Sequence, residues 1–251
     1  MNKITISTLV WKRPEIFEMW CENISNLKPK PNVVIAGSEG DQCKEIAIRY
    51  GFTYVQTQNK LLGAKANVSA LLAKETECTH VMLTGSDDII SQSMWEYYVN
   101  WKGESLALSD YYFYNMPDGR MIYWGGYAQG KRTGEPIGAC KMLSREIMDK
   151  LDWLPYGENE RHPDEHTTEI KLKKLGVTTK TVTVKETGGM SIDLKCSDNI
   201  SRFTVWNNSK YVVPIAVISE HPDLLSLFIK HSKSFRDKLK MSQMSVNRKN
   251  R

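Results

Sequence analysis

Short apolar runs alternate with amphipathic stretches through the first ninety residues. This alternation constrains the fold more than any other feature of the chain. Residues 4–10 read as a strand. Residues 14–27 read as a helix with Ile16, Phe17, Trp20 and Ile24 on one face, and Pro29 and Pro31 end it. A second strand at 33–36 closes in a Gly-rich turn at 37–41. A helix at 42–50 stops at Gly51, and a third strand follows at 53–56. A helix at 64–74 then leads to a fourth strand at 80–84. The order βαβαβαβ requires right-handed crossovers and predicts a doubly wound, mainly parallel sheet. Such sheets bind ligands beyond the carboxyl ends of their strands. The loops there are 11–13, 37–41, 58–65 and 85–88, and Gly, Lys, Arg and Asp dominate them. That chemistry suits a phosphorylated ligand and a hard cation.

The second half is less regular. Strands are predicted at 105–114, 120–127, 138–143 and 177–185. Helices are predicted at 144–151, capped by Ser144, and at 163–175, ended by Gly176. A last helix starts at Pro222. No internal repeat stands out. At 251 residues and 41% hydrophobic composition the chain can bury a core of its own, which excludes disorder throughout. No apolar run approaches the roughly 20 residues of a membrane-spanning helix, and residues 1–10 show no secretory pattern. The reading is a soluble, cytoplasmic protein. Five widely spaced cysteines without a CxxC pair read as free thiols. The net charge of +5 is local. From Phe228 onward there are eight basic residues and one acid, and the remainder is slightly acidic.

Three segments carry candidate chemistry. Gly85-Ser86-Asp87-Asp88 sets adjacent carboxylates at a strand end, where they repel unless a divalent cation sits between them and a ligand's phosphates. A plain Asp-rich turn before a helix at 91–101 is the other reading. His162-Pro163-Asp164-Glu165-His166 opens a helix. An acid there can take the proton from an attacking hydroxyl, although Pro and acids also simply suit a helix start. Pro163 puts His162 off the face of His166, so both read as surface or capping histidines and not as zinc ligands. Gly188-Gly189-Met190-Ser191-Ile192 reads as a flexible stretch before Asp193, Lys195, Asn199 and Arg202. It could close over a diphosphate or be an ordinary surface loop. Among the many aromatics, Trp124-Gly125-Gly126-Tyr127 is a candidate stacking wall for a sugar or a base.

Four segments of the first ninety residues, in order, resemble the nucleotide-binding half of family 2-type glycosyltransferases with the GT-A fold. They are residues 4–15, 37–41, 59–67 and 82–90. The resemblance implies a GT-A (Rossmann-like) α/β domain over 1–220, with a nucleotide-sugar half at 1–103 and an acceptor half with a small second sheet at 104–220. It implies that Val10, Trp11, Arg13, Ser38, Glu39, Gly63, Lys65, Asn67 and Ser86 lie at the nucleotide sugar. Asp87 then matches the metal-ligating position and Asp88 the acid after it. Two departures stand out. Gly85 replaces the first acid of the metal motif, and Lys65 is offset by one residue from the family's Arg. Asp164 and Glu165 resemble the family's catalytic-base segment, which implies an inverting displacement with either as base. Arg202 would help to neutralise the phosphates. The implied activity is transfer of a sugar from a nucleotide-diphosphate sugar, UDP-linked by preference, to an acceptor hydroxyl, with Mn²⁺ or Mg²⁺.

The acceptor is read from the basic end, a helix at 221–241 and a flexible tail at 242–251. Leu224, Phe228, Phe235 and Leu239 form a stripe, and Lys230, Lys233, Arg236, Lys238 and Lys240 surround it. It could bind nucleic-acid phosphates, lie on anionic lipid, or be a docked helix. The docked helix is the plain reading. Of the other two nucleic acid is favoured, because the apolar stripe is narrow and the chain lacks the long hydrophobic extensions of glycan-polymerising relatives. The chain looks compatible with the phage-encoded subclass that glycosylates hydroxymethylated pyrimidines in DNA. The alternatives are a surface-glycan glycosyltransferase, a nucleotidyltransferase, and a non-catalytic nucleic-acid-binding module on the same fold.

Overall fold

The computed structural model describes the chain except residues 39, 60, 158–164, 200–202, 204–205, 207–208 and 250–251. Its first half follows the alternation in the sequence. β1 (Ile4–Val10), α1 (Pro14–Asn26), β2 (Asn32–Gly37), α2 (Asp41–Arg49), β3 (Thr53–Gln56), α3 (Leu62–Lys74) and β4 (His80–Leu83) succeed one another. Next come β5 (Asp88–Ile90), α4 (Gln92–Asn100), β6 (Ser105–Leu108), β7 (Tyr111–Asn115), β8 (Met121–Trp124), β9 (Lys141–Ser144) and α5 (Arg145–Lys150). The chain ends with α6 (Glu165–Lys174), β10 (Lys180–Val182), β11 (Ser191–Lys195), β12 (Ser209–Val212), α7 (Pro214–Ile218), α8 (Pro222–His231) and α9 (Lys233–Lys249).

Among the described residues the main sheet has the order β10-β6-β9-β4-β1-β2-β3. β1 sits centrally, parallel to β2 and β4, so its residues are covered on both faces and even Thr5, Ser7 and Thr8 are buried. β9 is the antiparallel strand, pairing with both β4 and β6. The expected doubly wound, mainly parallel α/β sheet is therefore present, with a smaller sheet beside it of order β12-β8-β7-β11-β5. Serine caps begin two helices, at Ser144 as the sequence suggested and also at Ser91. Ser91 Oγ accepts from Met94 N and Ser144 Oγ from Ile147 N.

Three expectations change. The strand expected at 105–114 breaks at Ser109-Asp110 and its halves enter different sheets. Asp110 enforces the break, since its carboxylate accepts the Val184 amide at 2.6 Å and the Tyr123 hydroxyl at 2.7 Å. The stretch at 188–192 is not a flap. A single 3-10 turn (Lys185–Thr187) ends at Gly188, and Ser191–Lys195 is then a strand between β5 and β7. At the end of the chain, the helix expected at 221–241 is two helices, and the stretch expected as a flexible tail continues α9 through Lys249. The break falls at Ser232, whose Oγ accepts from Phe235 N and pairs with Tyr114 Oη at 3.1 Å. Phe228 and Phe235 are fully buried there, which is the docked-helix reading of that stripe.

Gly189 is where the second sheet meets α4. A Cβ at that position would lie 2.4 Å from the Met94 amide nitrogen, and backbone cannot yield as a side chain would. Gly189→Ala should therefore destabilise the protein by about 2 kcal/mol in urea unfolding. An unchanged midpoint would mean that α4 and β11 can separate freely.

Candidate active site

The second sheet builds the site by register. Asp88 on β5 faces Asp193 on β11, Asp193 faces Phe113 on β7, and Phe113 faces Ile122 on β8. Strand alternation puts this row on one face, together with Tyr111, Trp124 and Lys195. Ile192, Leu194, Tyr112 and Tyr114 take the other face. Asp87 lies just before β5, in the turn beyond the carboxyl end of β4. Carboxylate oxygens of Asp87, Asp88 and Asp193 all come within 4.8 Å of one another.

Each acid is held differently. Asp87 Oδ2 accepts from Arg13 Nη1 at 2.5 Å and from Asn199 Nδ2 at 2.8 Å. Burial works against its charge, but Arg13, with Lys195 behind, keeps its carboxyl below the usual carboxylate range. Asp88 is 4% exposed and accepts from the Gly85 amide, the Thr84 hydroxyl and the Tyr111 hydroxyl. Burial and then the neighbouring Asp87 charge push it up to about 6. Asp193 Oδ2 pairs with Lys195 Nζ at 2.5 Å, while its Oδ1 is buried without a partner. Burial raises its pKa, Lys195 opposes the rise, and the two neighbouring acids add to it.

Local backbone puts the partners in place. Lys12 and Arg13 are consecutive non-glycine residues in the left-handed region, at φ 54° and 58°. That costs on the order of 1–2 kcal/mol per residue and turns Arg13 back towards Asp87 at the start of α1. Gly85 has a similar explanation. A Cβ there would lie 2.6 Å from Asp87 Oδ1 and 2.9 Å from Asp88 Oδ2, so the two carboxylates fold over a position that must be small. The third acid comes from β11 instead.

Beside the acids lies a cavity of about 200 Å³. Tyr111, Phe113, Trp124, Tyr127 and Trp206 wall it, and Asp87, Asp88, Asp193 and Lys195 close its polar side. Three carboxylates with one partnerless buried oxygen fit a hard divalent cation, which takes oxygen donors.

The other sequence candidates divide. Val10 and Ser38 stand at the carboxyl ends of β1 and β2, with Trp11 next to Val10. Lys65, expected at a phosphate, is only 2% exposed, and its ammonium turns into the scaffold to donate to the Val10 carbonyl and Ser38 Oγ, both at 2.6 Å. Asn67 is likewise buried and clasps the Tyr156 backbone from both sides. Gly63 is buried in the first turn of α3, and Ser86 is buried beside Asp87. Glu39, Asp164, Arg202 and His162 lie outside the described residues. Glu165 is the first residue of α6. His166 is engaged at Nδ1 by Glu135 Oε1 at 2.6 Å. Sequence reasoning left Asp193 out of the acid set. Its signal was the alternation Ser191-Ile192-Asp193-Leu194-Lys195, masked by the two glycines before it. The basic α9 docks through Ser234 and Phe235 around Tyr114, on the face of the second sheet opposite the cavity.

No family model and no curated protein matches this chain. Solved structures do. The T. maritima inositol-1-phosphate CTP transferase superposes with a TM-score of 0.50 at 13% identity, covering 79% of this chain and 91% of that one. S. aureus TarS 1–349 gives 0.48 at 14%, covering 78% of this chain, which spans only 58% of that one. Glucosyl-3-phosphoglycerate synthase from Mycobacterium tuberculosis, solved with Mn²⁺ and uridine diphosphate, gives 0.47 at 14%, covering 78% and 73%. At such identities the likeness speaks for the fold alone, a GT-A or Rossmann-like arrangement common to glycosyltransferases and nucleotidyltransferases.

The raised pKa of Asp88 has a sign. Its folded value of about 6 lies above the ordinary aspartate value of 3.8, so the folded protein holds the extra proton between the two. The associated stability is complete below the unfolded value and is lost as pH rises towards 6. Melting temperatures of the metal-free protein should show this loss between pH 4 and 6. Asp88→Asn should remove that component of the slope, even though it lowers stability at every pH by disturbing three donors. An unaltered slope would place the proton elsewhere.

Proposed function

We propose that the protein transfers a sugar from a nucleoside-diphosphate sugar to a hydroxyl acceptor, assisted by a divalent cation. The observation that carries this is the acid cluster at the carboxyl end of β4, with Arg13 on one side and an aromatic cavity on the other. Doubly wound sheets bind nucleotides at that edge. Val10, Trp11 and Ser38 would border the base and ribose. Arg13 holds Asp87 through one N–H and can turn others towards a diphosphate, while Lys195 faces the departing charge. Asp87, with Asp193 and Asp88 beside it, would hold the cation, which supplies positive charge to the diphosphate as it leaves. Asp164, or Glu165 as the first residue of α6, would accept the acceptor's proton, giving inversion.

Nucleotidyl transfer on the same fold is the rival. An enzyme of that kind acting on a sugar phosphate must draw a polyphosphate and an incoming anionic phosphate together. Lys195 is the single cation among the described residues lining the cavity, against three carboxylates. That lining favours a neutral hydroxyl nucleophile. A DNA acceptor would need surfaces other than α9 to reach the cavity, since α9 docks behind the sheet.

With Mn²⁺ and a panel of nucleotide sugars, the protein should release a nucleoside diphosphate. Release of pyrophosphate from nucleoside triphosphates would establish the rival. Asp87→Asn should lower turnover on the order of 100-fold with the circular dichroism spectrum intact. Full turnover in that variant would remove Asp87 from the site.

A further inference from the structure

The aromatic side of the cavity beside the acids is what nucleotide and cation binding leave unexplained. Its aromatic wall is continuous. Phe113 stacks on Trp206 with centroids 4.3 Å apart, and Trp124 stands 4.9 Å from both Trp206 and Tyr127. The wall is also braced. Arg132 lies 4.0 Å over the Tyr127 ring and donates from Nε to Glu135 at 2.8 Å, and Glu135 in turn holds His166 on the first turn of α6. Gly126, at φ +82°, lets the chain between Trp124 and Tyr127 pass against the Ser109 carbonyl, where a Cβ would lie 2.0 Å from that oxygen. Opposite the rings stand Asp88, Asp193 and Lys195. Trp206 Nε1 is a buried donor without a partner.

We propose that this cavity is a saccharide-ring subsite, taking one neutral pyranose with its C–H face on the aromatic wall and its hydroxyls on the acids. A pyranose combines an apolar face with a rim of hydroxyl donors and acceptors, and the cavity offers both complements. The volume of about 200 Å³ is below the roughly 300 Å³ at which drug-sized sites begin, so it admits one ring. A nucleobase swung out of DNA would also stack, but its flanking phosphates would approach three carboxylates opposed by Lys195. The ring is assigned to the acceptor on the strength of the transfer reaction proposed above. The alternative source of the same ring is the sugar of the donor. Binding of the ring itself does not depend on that reaction.

The test is saturation-transfer NMR on the full chain with methyl pyranosides, uridine diphosphate, UDP-sugars and 5-hydroxymethyldeoxycytidine. Ring C–H protons of at least one glycoside should receive saturation. The signal should weaken about fivefold in titration for Trp124→Leu, and for Tyr127→Ala, whose half-buried ring makes it the safer variant for folding. If instead the sugar protons of a UDP-sugar respond, with the same loss in both variants, the donor's sugar is the occupant and the subsite stands. The proposal is overturned if no sugar ring responds, if the variants leave the signal unchanged, or if the nucleoside alone responds. Glycoside binding without any UDP-sugar binding would sink the transfer reaction and leave the subsite. Nucleotide binding without a sugar-ring signal would do the reverse.

Discussion

Three carboxylates within 4.8 Å of one another, mostly shut away from water, are the interaction on which the rest of this structure depends. Two unit charges at about 4 Å repel by roughly 4 kcal/mol in a protein-surface environment. The chain offsets this in several ways at once. Arg13 and Lys195 supply two cations at 2.5 Å. Asp88 takes three hydrogen bonds and a raised pKa. Lys12 and Arg13 accept left-handed backbone to bring the guanidinium round, and position 85 gives up its side chain. Such effort makes little sense as stabilisation, since apolar residues would pack there at less cost. It makes sense where charge must be ready for a ligand.

The second sheet separates two jobs by alternation. On one face, Asp88, Asp193, Phe113 and Trp124 form acids and wall. On the other, Tyr114 meets Phe228 at 4.8 Å and bonds Ser232 and Ser234, which fastens α8 and α9. The helices that carry the chain's excess positive charge thus act first as a buttress behind the site. Glu22 on α1 completes the attachment by accepting from Lys230 at 2.6 Å, with His231 alongside.

Much of this was legible in the residues. The strand–helix alternation predicted the central sheet, the four ligand-facing loops and the Asp87-Asp88 turn, because each rests on local periodicity and on a topology rule with few exceptions. Arg13, which the resemblance implied at the nucleotide, is bonded to Asp87. Lys65 shows the limit. A lysine in a ligand-facing loop region looks available, yet its ammonium serves two internal oxygens, and only the packing of α3 against β1 reveals that. Ser109-Asp110 shows another limit. Nothing local marks a strand break there, since the partners that force it, Val184 and Tyr123, lie far away in sequence.

By itself, then, the sequence determined the winding of the first half, the carboxyl-end position of the acidic turn and the local excess of charge at the end of the chain. These follow from periodicity, handedness and composition, which are properties of neighbouring residues. The tertiary structure alone decided that Asp193 joins Asp87 and Asp88, that Gly85 is a necessity of their packing, and that the basic helices stand behind the sheet. Strand register between β5, β11 and β7 makes those decisions, and register is settled by partners 80 to 105 residues apart in the chain.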